Sequence, residues 1–149
     1  MRIAFGSDEC TELTRAIERR LRERGDDVLF CGALAPDSDS DWPSVAREVA
    51  HAVASGSCES GIVCCWTGTG VSIAANKVHG VRAALCDDAQ TADGARKWND
   101  ANVLALSLRG TSIAVAFEIL DAWFSGAPTD DPRYRGMIDT VETAIQARH

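Results

Sequence analysis

The sequence predicts a three-layer α/β/α domain built on a five-stranded parallel sheet. Three observations carry that prediction. Short apolar segments alternate with amphipathic ones at a spacing of about 25–30 residues, the rhythm of strand–helix–strand units. The segment GIVCC at 61–65 is apolar without interruption, as strands buried on both faces are. Three strand ends carry the polar or reactive groups: Ser7-Asp8-Glu9, Cys65-Trp66-Thr67-Gly68 and Cys86-Asp87-Asp88. In open parallel sheets, ligands bind beyond those carboxyl ends. The architecture is therefore Rossmann-like.

Each element follows in order. Residues 1–6 alternate into a strand that stops at Gly-Ser-Asp. Residues 11–24 form a helix, because Leu13, Ile17 and Leu21 recur every fourth position, and Gly25 ends it. A second strand spans 27–31, and a polar loop with Pro36 and several aspartates follows to 41. Pro43 suits the first position of the next helix, which runs to 54 and stops before Gly56. The strand at 61–65 leads through Thr67-Gly68-Thr69-Gly70 into a helix over 71–77, with Lys77 favoured at its end. Strands at 81–86 and 103–108 enclose a helix at 89–98. An apolar helix over 111–124, a loop and a final helix over 134–148 complete the chain.

The 149 residues suit one domain, 1–149, large enough to need no metal or disulfide for its core. Hydrophobic residues are 46% and charged residues 25%, which is ordinary globular usage. A net charge of −7 offers no basic face for nucleic acid, and a phosphorylated ligand would depend on local arginines. No apolar run reaches the roughly 18 residues of a membrane helix, and MRIAFGSDE is not a signal peptide. The expected location is the cytoplasm, with no membrane partner. Cys10, Cys31, Cys58, Cys64, Cys65 and Cys86 form no CxxC pair and have no histidine at ligand spacing. The aspartates at 37–41 lack calcium-loop spacing. No metal is expected.

The chemistry concentrates at the turn after the third strand. Gly68 and Gly70 permit a tight turn with outward N–H groups at a helix N-terminus, an arrangement suited to a phosphate or an enediolate oxyanion. The turn lacks both the Walker GK[ST] and the third glycine of a dinucleotide fingerprint. Cys65 stands just before it, where a thiolate is favoured and can act as base or nucleophile. Adjacent strand residues face opposite ways, so Cys64 reads as a core thiol.

The segment CWTGTGVSIAANK at 65–77 resembles CGTGIGMSIAANK of the type-B ribose-5-phosphate isomerases and their galactose-6-phosphate isomerase relatives. VRAALCDD at 81–88, NDANVLAL at 99–106, IAFGSDE at 3–9 and DWP at 41–43 resemble further segments of that family in the same order. The resemblance implies a homodimer, or a pair of such dimers, with each site completed by the neighbouring subunit and the C-terminal helix contributing to the contact. It implies aldose–ketose isomerisation of a sugar phosphate through an enediolate, without cofactor. Cys65 would be the base, because Val71 occupies the position where some relatives carry a glutamate. Thr67 and the Gly68–Gly70 amides would hold the enediolate oxygens. Asp8 and Asn99 would bind hydroxyls, Arg109 and Arg133 the phosphate, and Trp42 of DWP would line the site.

Four positions depart from the family. Glu9 replaces a phosphate-binding histidine, and a carboxylate about 4 Å from a phosphate costs roughly 4 kcal/mol per charge pair. Trp98 replaces the histidine credited with ring opening; indole donates a hydrogen bond but shuttles no proton. Trp66 replaces a glycine of the turn, and Met137 replaces a second phosphate arginine, with Arg135 two residues away. The catalytic turn is intact while the phosphate end is altered. Trp66 and Trp98 suit the apolar face of a sugar, or pack against each other or a partner. The alternatives to a ribose-5-phosphate isomerase are an isomerase or epimerase of another sugar, phosphorylated or not, and a non-catalytic sugar-binding protein.

Overall fold

A computed structural model describes residues 1–146. In chain order its elements are β1 (Arg2–Ser7), α1 (Glu12–Glu23), β2 (Asp27–Gly32), α2 (Trp42–Ala54), β3 (Ser60–Cys65) and α3 (Thr69–Ala75). They continue with β4 (Ala83–Leu85), α4 (Ala89–Asn99), β5 (Val103–Ser107), α5 (Ile113–Ser125) and α6 (Pro132–Gln146). The end of the helix predicted to residue 148, and His149, lie outside the described residues.

All five strands pair in parallel, in the order β2-β1-β3-β5-β4. β3 is central and every residue of it is buried. On one face, Leu13, Ile17 and Leu21 of α1 and Ile119, Leu120 and Trp123 of α5 cover Ile3, Phe5 and Ile62. On the other, Ala46, Val49 and Ala50 of α2 and Val71 and Ala75 of α3 cover Ala4, Val63 and Val103. The three layers thus follow from which strand residues point each way. The Trp123 indole N–H donates to Ser60 Oγ at 3.0 Å, so the largest buried side chain leaves no polar group unpaired.

Several boundaries differ from the sequence expectation. α3 begins at Thr69 rather than 71, because Gly68 adopts the left-handed conformation (φ 76°) at its N-cap and the helix starts inside the glycine turn. It ends at Ala75, short of Lys77. Asn76 caps it and turns its side chain to the backbone of β4, donating to Ala83 O at 2.9 Å and accepting from Ala83 N at 2.8 Å. β4 is correspondingly short. Pro43 is the second, not the first, residue of α2, which opens at Trp42. Among the described residues, no helix is long and apolar enough to cross a membrane.

α6 lies at the outside of the β4 edge. Arg82 ties it down: its guanidinium donates to Glu142 Oε1 at 2.6 Å, to Asp100 O at 2.8 Å and to Asp100 Oδ2 at 3.3 Å. One side chain at the start of β4 therefore joins the end of α4 to α6.

Candidate active site

The sheet order reverses between β1 and β3, since β1 connects outward to β2 while β3 leads to the other half. In open parallel sheets of this order the crevice beyond those carboxyl ends is the usual ligand position. Ser7 pairs with Cys64, and Cys65 with Ser107 of β5. Asp8 N donates to Cys64 O at 3.4 Å, Leu108 N to Cys65 O at 2.9 Å and Arg109 N to Trp66 O at 3.0 Å. Backbone pairing thus brings Asp8, Cys65 and Arg109 to one edge.

The two adjacent thiols separate across the sheet. Cys64 joins the core under α1 and α5; burial pushes its pKa well up, with the charges of Cys65 and Asp8 adding. Cys65 faces α2 and α3, is 6% exposed and sits directly before the turn. Burial likewise pushes Cys31 and Cys86 up to about 12, with Glu48 adding for the first and Asp87 for the second. Those thiols are inert near neutral pH.

Gly68 and Gly70 are required for two different reasons. A Cβ on Gly68 would lie 2.9 Å from the Leu106 carbonyl carbon, at a φ that side-chain-bearing residues avoid. A Cβ on Gly70 would meet the Trp42 indole at 3.0 Å. Trp42 therefore lies against the helix start, walling the crevice beside the turn. Thr67 and Thr69 share a hydroxyl–hydroxyl hydrogen bond of 2.7 Å, which orders both over the same turn.

Across from the turn, Ser7 Oγ donates to Glu9 O at 2.6 Å and accepts from Glu9 N at 3.3 Å, fixing the Asp8-Glu9 bend. Asp8 Oδ1 is enclosed and accepts no hydrogen bond from the described residues, so it is free to accept one from a hydroxyl. Burial, followed by the neighbouring Glu9 charge, raises the Asp8 pKa. A raised carboxyl pKa means folding disfavours the anion. That penalty is absent below the ordinary value of 3.8 and develops as pH rises through the folded value. Asp8→Asn is accordingly expected to raise the melting temperature at pH 7 while lowering activity. Melts repeated below pH 3.8 should show the stability gain vanish; a gain independent of pH would contradict this account.

Trp98, Asn99 and Arg133 are not brought to this edge. α4 runs antiparallel to the strands, so Trp98 and Asn99 lie near the amino end of the sheet. There they share a cavity of about 490 Å³ with Asn76, Arg82, Tyr134 and Met137. The Trp98 ring lies over Gly94, where an added Cβ would approach it to 2.8 Å, and the Lys97 ammonium stands 5.6 Å from its centroid. Arg133 is exposed on α6, and Arg135 is engaged with Asp130. Within one chain the expected residues thus form two groups, one around Cys65 and one around Asn99.

Sequence reasoning missed three contributors. Leu85 contacts Gly68 and borders the groove beside Trp98, linking the two groups along the β4 edge. Arg82 is the tie described above. Ser107 donates to Trp66 O at 3.0 Å and accepts from Gly110 N at 3.0 Å. The one signal for them was position, at the ends of β4 and β5. Among the described residues, no cluster of three or more His, Cys, Asp or Glu side chains is arranged to hold a metal ion.

The fold and these strand ends define a Rossmann-like α/β protein with a cysteine directly before a glycine-rich helix start. The family model for Ribose/Galactose Isomerase matches residues 3–141. The chain belongs to the ribose/galactose isomerase family. It is 39% identical over 148 residues to ribose-5-phosphate isomerase B of Escherichia coli K12, covering 99% of this chain and 97% of that protein. It is also 39% identical over 122 residues to D-erythrulose-4-phosphate isomerase of Pectobacterium atrosepticum, covering 81% and 80%. The ribose-5-phosphate isomerase B structure from Clostridium thermocellum superposes with a TM-score of 0.92 at 37% identity, covering 100% of both chains.

Proposed function

We propose that the protein is a cofactor-independent aldose–ketose isomerase of a small sugar phosphate, acting in the cytoplasm as a homodimer. The observation that carries the mechanism is Cys65 at the end of β3, followed by the glycine turn, with the unpartnered oxygen of Asp8 just past the end of the adjacent strand β1. The Cys65 thiolate takes the proton from the carbon α to the carbonyl. The C–H electron pair becomes the carbon–carbon double bond of an enediolate, and the carbonyl oxygen gains the negative charge. Thr67 and the amides at Gly68 and Gly70 donate to that oxygen where its charge develops. Asp8 accepts from a hydroxyl and orients the chain. The hydroxyl proton on the α carbon passes to the oxygen of the former carbonyl. The cysteine returns its proton to the former carbonyl carbon at the expense of the double bond, and the carbonyl re-forms on the α carbon.

The homodimer reading rests on the division into two groups. Trp98 and Asn99 border cavities beside β4 and α6 that Cys65 does not line, and Arg133 is exposed on α6. An apolar strip connects the groups: Trp66, Leu85, Trp98, Met137 and Val141 are all at least 39% exposed. A two-fold-related second copy covers such a strip and carries each Asn99 group to the other copy's Cys65. Cys65→Ala and Asn99→Ala chains, each inactive alone, should regain about a quarter of wild-type activity when unfolded and refolded together, because about half the dimers are mixed and each mixed dimer carries one intact site of its two. No recovery would refute the shared site.

Glu9 and Met137 favour a second reading, in which the sugar bears no phosphate. Assaying ribose 5-phosphate, D-erythrulose 4-phosphate and their unphosphorylated counterparts separates the two. Turnover of a phosphate establishes the first reading, and turnover restricted to free sugars the second. Binding without turnover would mean that the protein is not an isomerase.

A further inference from the structure

Past the end of the β3–β5 ladder, one carbonyl receives both the Arg109 amide and a side chain of β5. Trp66 O, one residue beyond Cys65, accepts from Arg109 N at 3.0 Å and from Ser107 Oγ at 3.0 Å. The same serine hydroxyl accepts from Gly110 N at 3.0 Å, and Ser107 O accepts from Thr111 N at 3.2 Å. A Cβ on Gly110 would lie 3.1 Å from Ser107 Oγ, so the loop closes tightly around the hydroxyl. The hydroxyl thus donates across to the Cys65–Trp66 segment while accepting from the Arg109 loop, and so joins the two. One loop carries the base and the oxyanion turn; the other carries the arginine.

We propose that Ser107 is a positioning residue: its hydroxyl latches the Arg109 loop to the Cys65 turn and sets where the guanidinium stands relative to the reacting carbon. This rests on the reading of Arg109 as the anion-binding arginine. Without the hydroxyl, Trp66 O retains only the Arg109 amide and Gly110 N–H loses its acceptor. The loop then gains freedom at the residue whose placement matters. The effect belongs to anion binding and alignment. The proton transfer itself depends on Cys65 and the turn, which β3 and β5 pairing still hold.

The test is a double-mutant cycle of Ser107→Ala and Arg109→Ala on the dimeric enzyme. It is read by inhibition with inorganic phosphate and by kcat and KM, with melting temperatures as a control for folding. Ser107→Ala alone is expected to weaken phosphate inhibition and raise KM about 3- to 10-fold, the scale of one lost hydrogen bond, with kcat changed less. In the Arg109→Ala background the same substitution should have no further effect on either constant. Ser107→Thr, which restores a hydroxyl, should recover most of the loss. Equal effects of Ser107→Ala in both backgrounds would overturn the proposal, because the serine would then act independently of the arginine. If Arg109→Ala alone leaves phosphate inhibition and KM unchanged, the anion-binding role of Arg109 fails as well. If only the first result appears, that role stands and the latch does not.

Discussion

Cys65→Ala should lower kcat by about 10²- to 10⁴-fold, the usual worth of a positioned proton-transfer group. The reason is the absence of a substitute. Cys64 faces the opposite core with its thiol held protonated by burial. Val71, buried at the start of α3, has no proton to exchange. Asp8, whose pKa is raised by burial, remains across the crevice in the role of acceptor. Cys65→Ser should be nearly as inactive, since a hydroxyl is far less acidic than a thiol. Stability should fall by about 1–2 kcal/mol, because deleting the buried sulfur leaves a small void without unfolding the chain. The measurement is incorporation of deuterium from heavy water into product, alongside kcat and a thermal melt. Residual turnover within tenfold of wild type would remove Cys65 from the role of base.

The second large effect is expected at Gly68. Alanine there must adopt φ 76°, with its Cβ 2.6 Å from Leu85 Cδ1 and 2.9–3.0 Å from the backbone of Leu106. The leucine tip can swing away, but the β5 backbone is paired to β3 and cannot. Strain plus displacement should cost about 2–5 kcal/mol of stability. The turn must shift to relieve the contact, and it carries the Thr67 hydroxyl and the amides aimed at the oxyanion. A displacement of about 1 Å at such a site costs roughly 10²-fold in rate. Denaturant midpoint and kcat should therefore fall together. A variant that loses stability but retains kcat would show that the turn does not hold the reacting oxygens.

The two substitutions differ in how visible their targets are in the bare sequence. Cys65, Thr67, Gly68 and Gly70 are contiguous, and a buried strand followed by a glycine-rich helix start can be read from local pattern alone. The alternation of elements is local in the same way, which is why the layers and the five strands were legible. The helix start at Thr69 was misplaced by two residues because it depends on Gly68 adopting a left-handed conformation. The distance of Asn99 from Cys65 follows from the direction in which α4 returns, a property of topology. Ser107 was invisible because its partner is a main-chain carbonyl 41 residues away. Arg82 was equally hidden, its partner Glu142 lying 60 residues along the chain. No local pattern encodes a hydrogen bond to a distant backbone atom.

Two neighbouring thiols of identical chemistry have opposite fates here, and only the alignment of one strand decides between them. β3 is held in step on both sides, by Ser7 against Cys64 and by Ser107 against Cys65. Sliding it by a single position would turn every side chain to the other face. Cys64 would then open to the crevice, while Cys65 would be sealed beneath the leucines of α1 and α5. The chain would keep its composition, its glycine turn and both sulfurs, yet it would present the reactive atom on the wrong side of the sheet. Which of the two thiols faces α2 and α3 is thus a consequence of strand alignment, held from both flanks by β1 and β5.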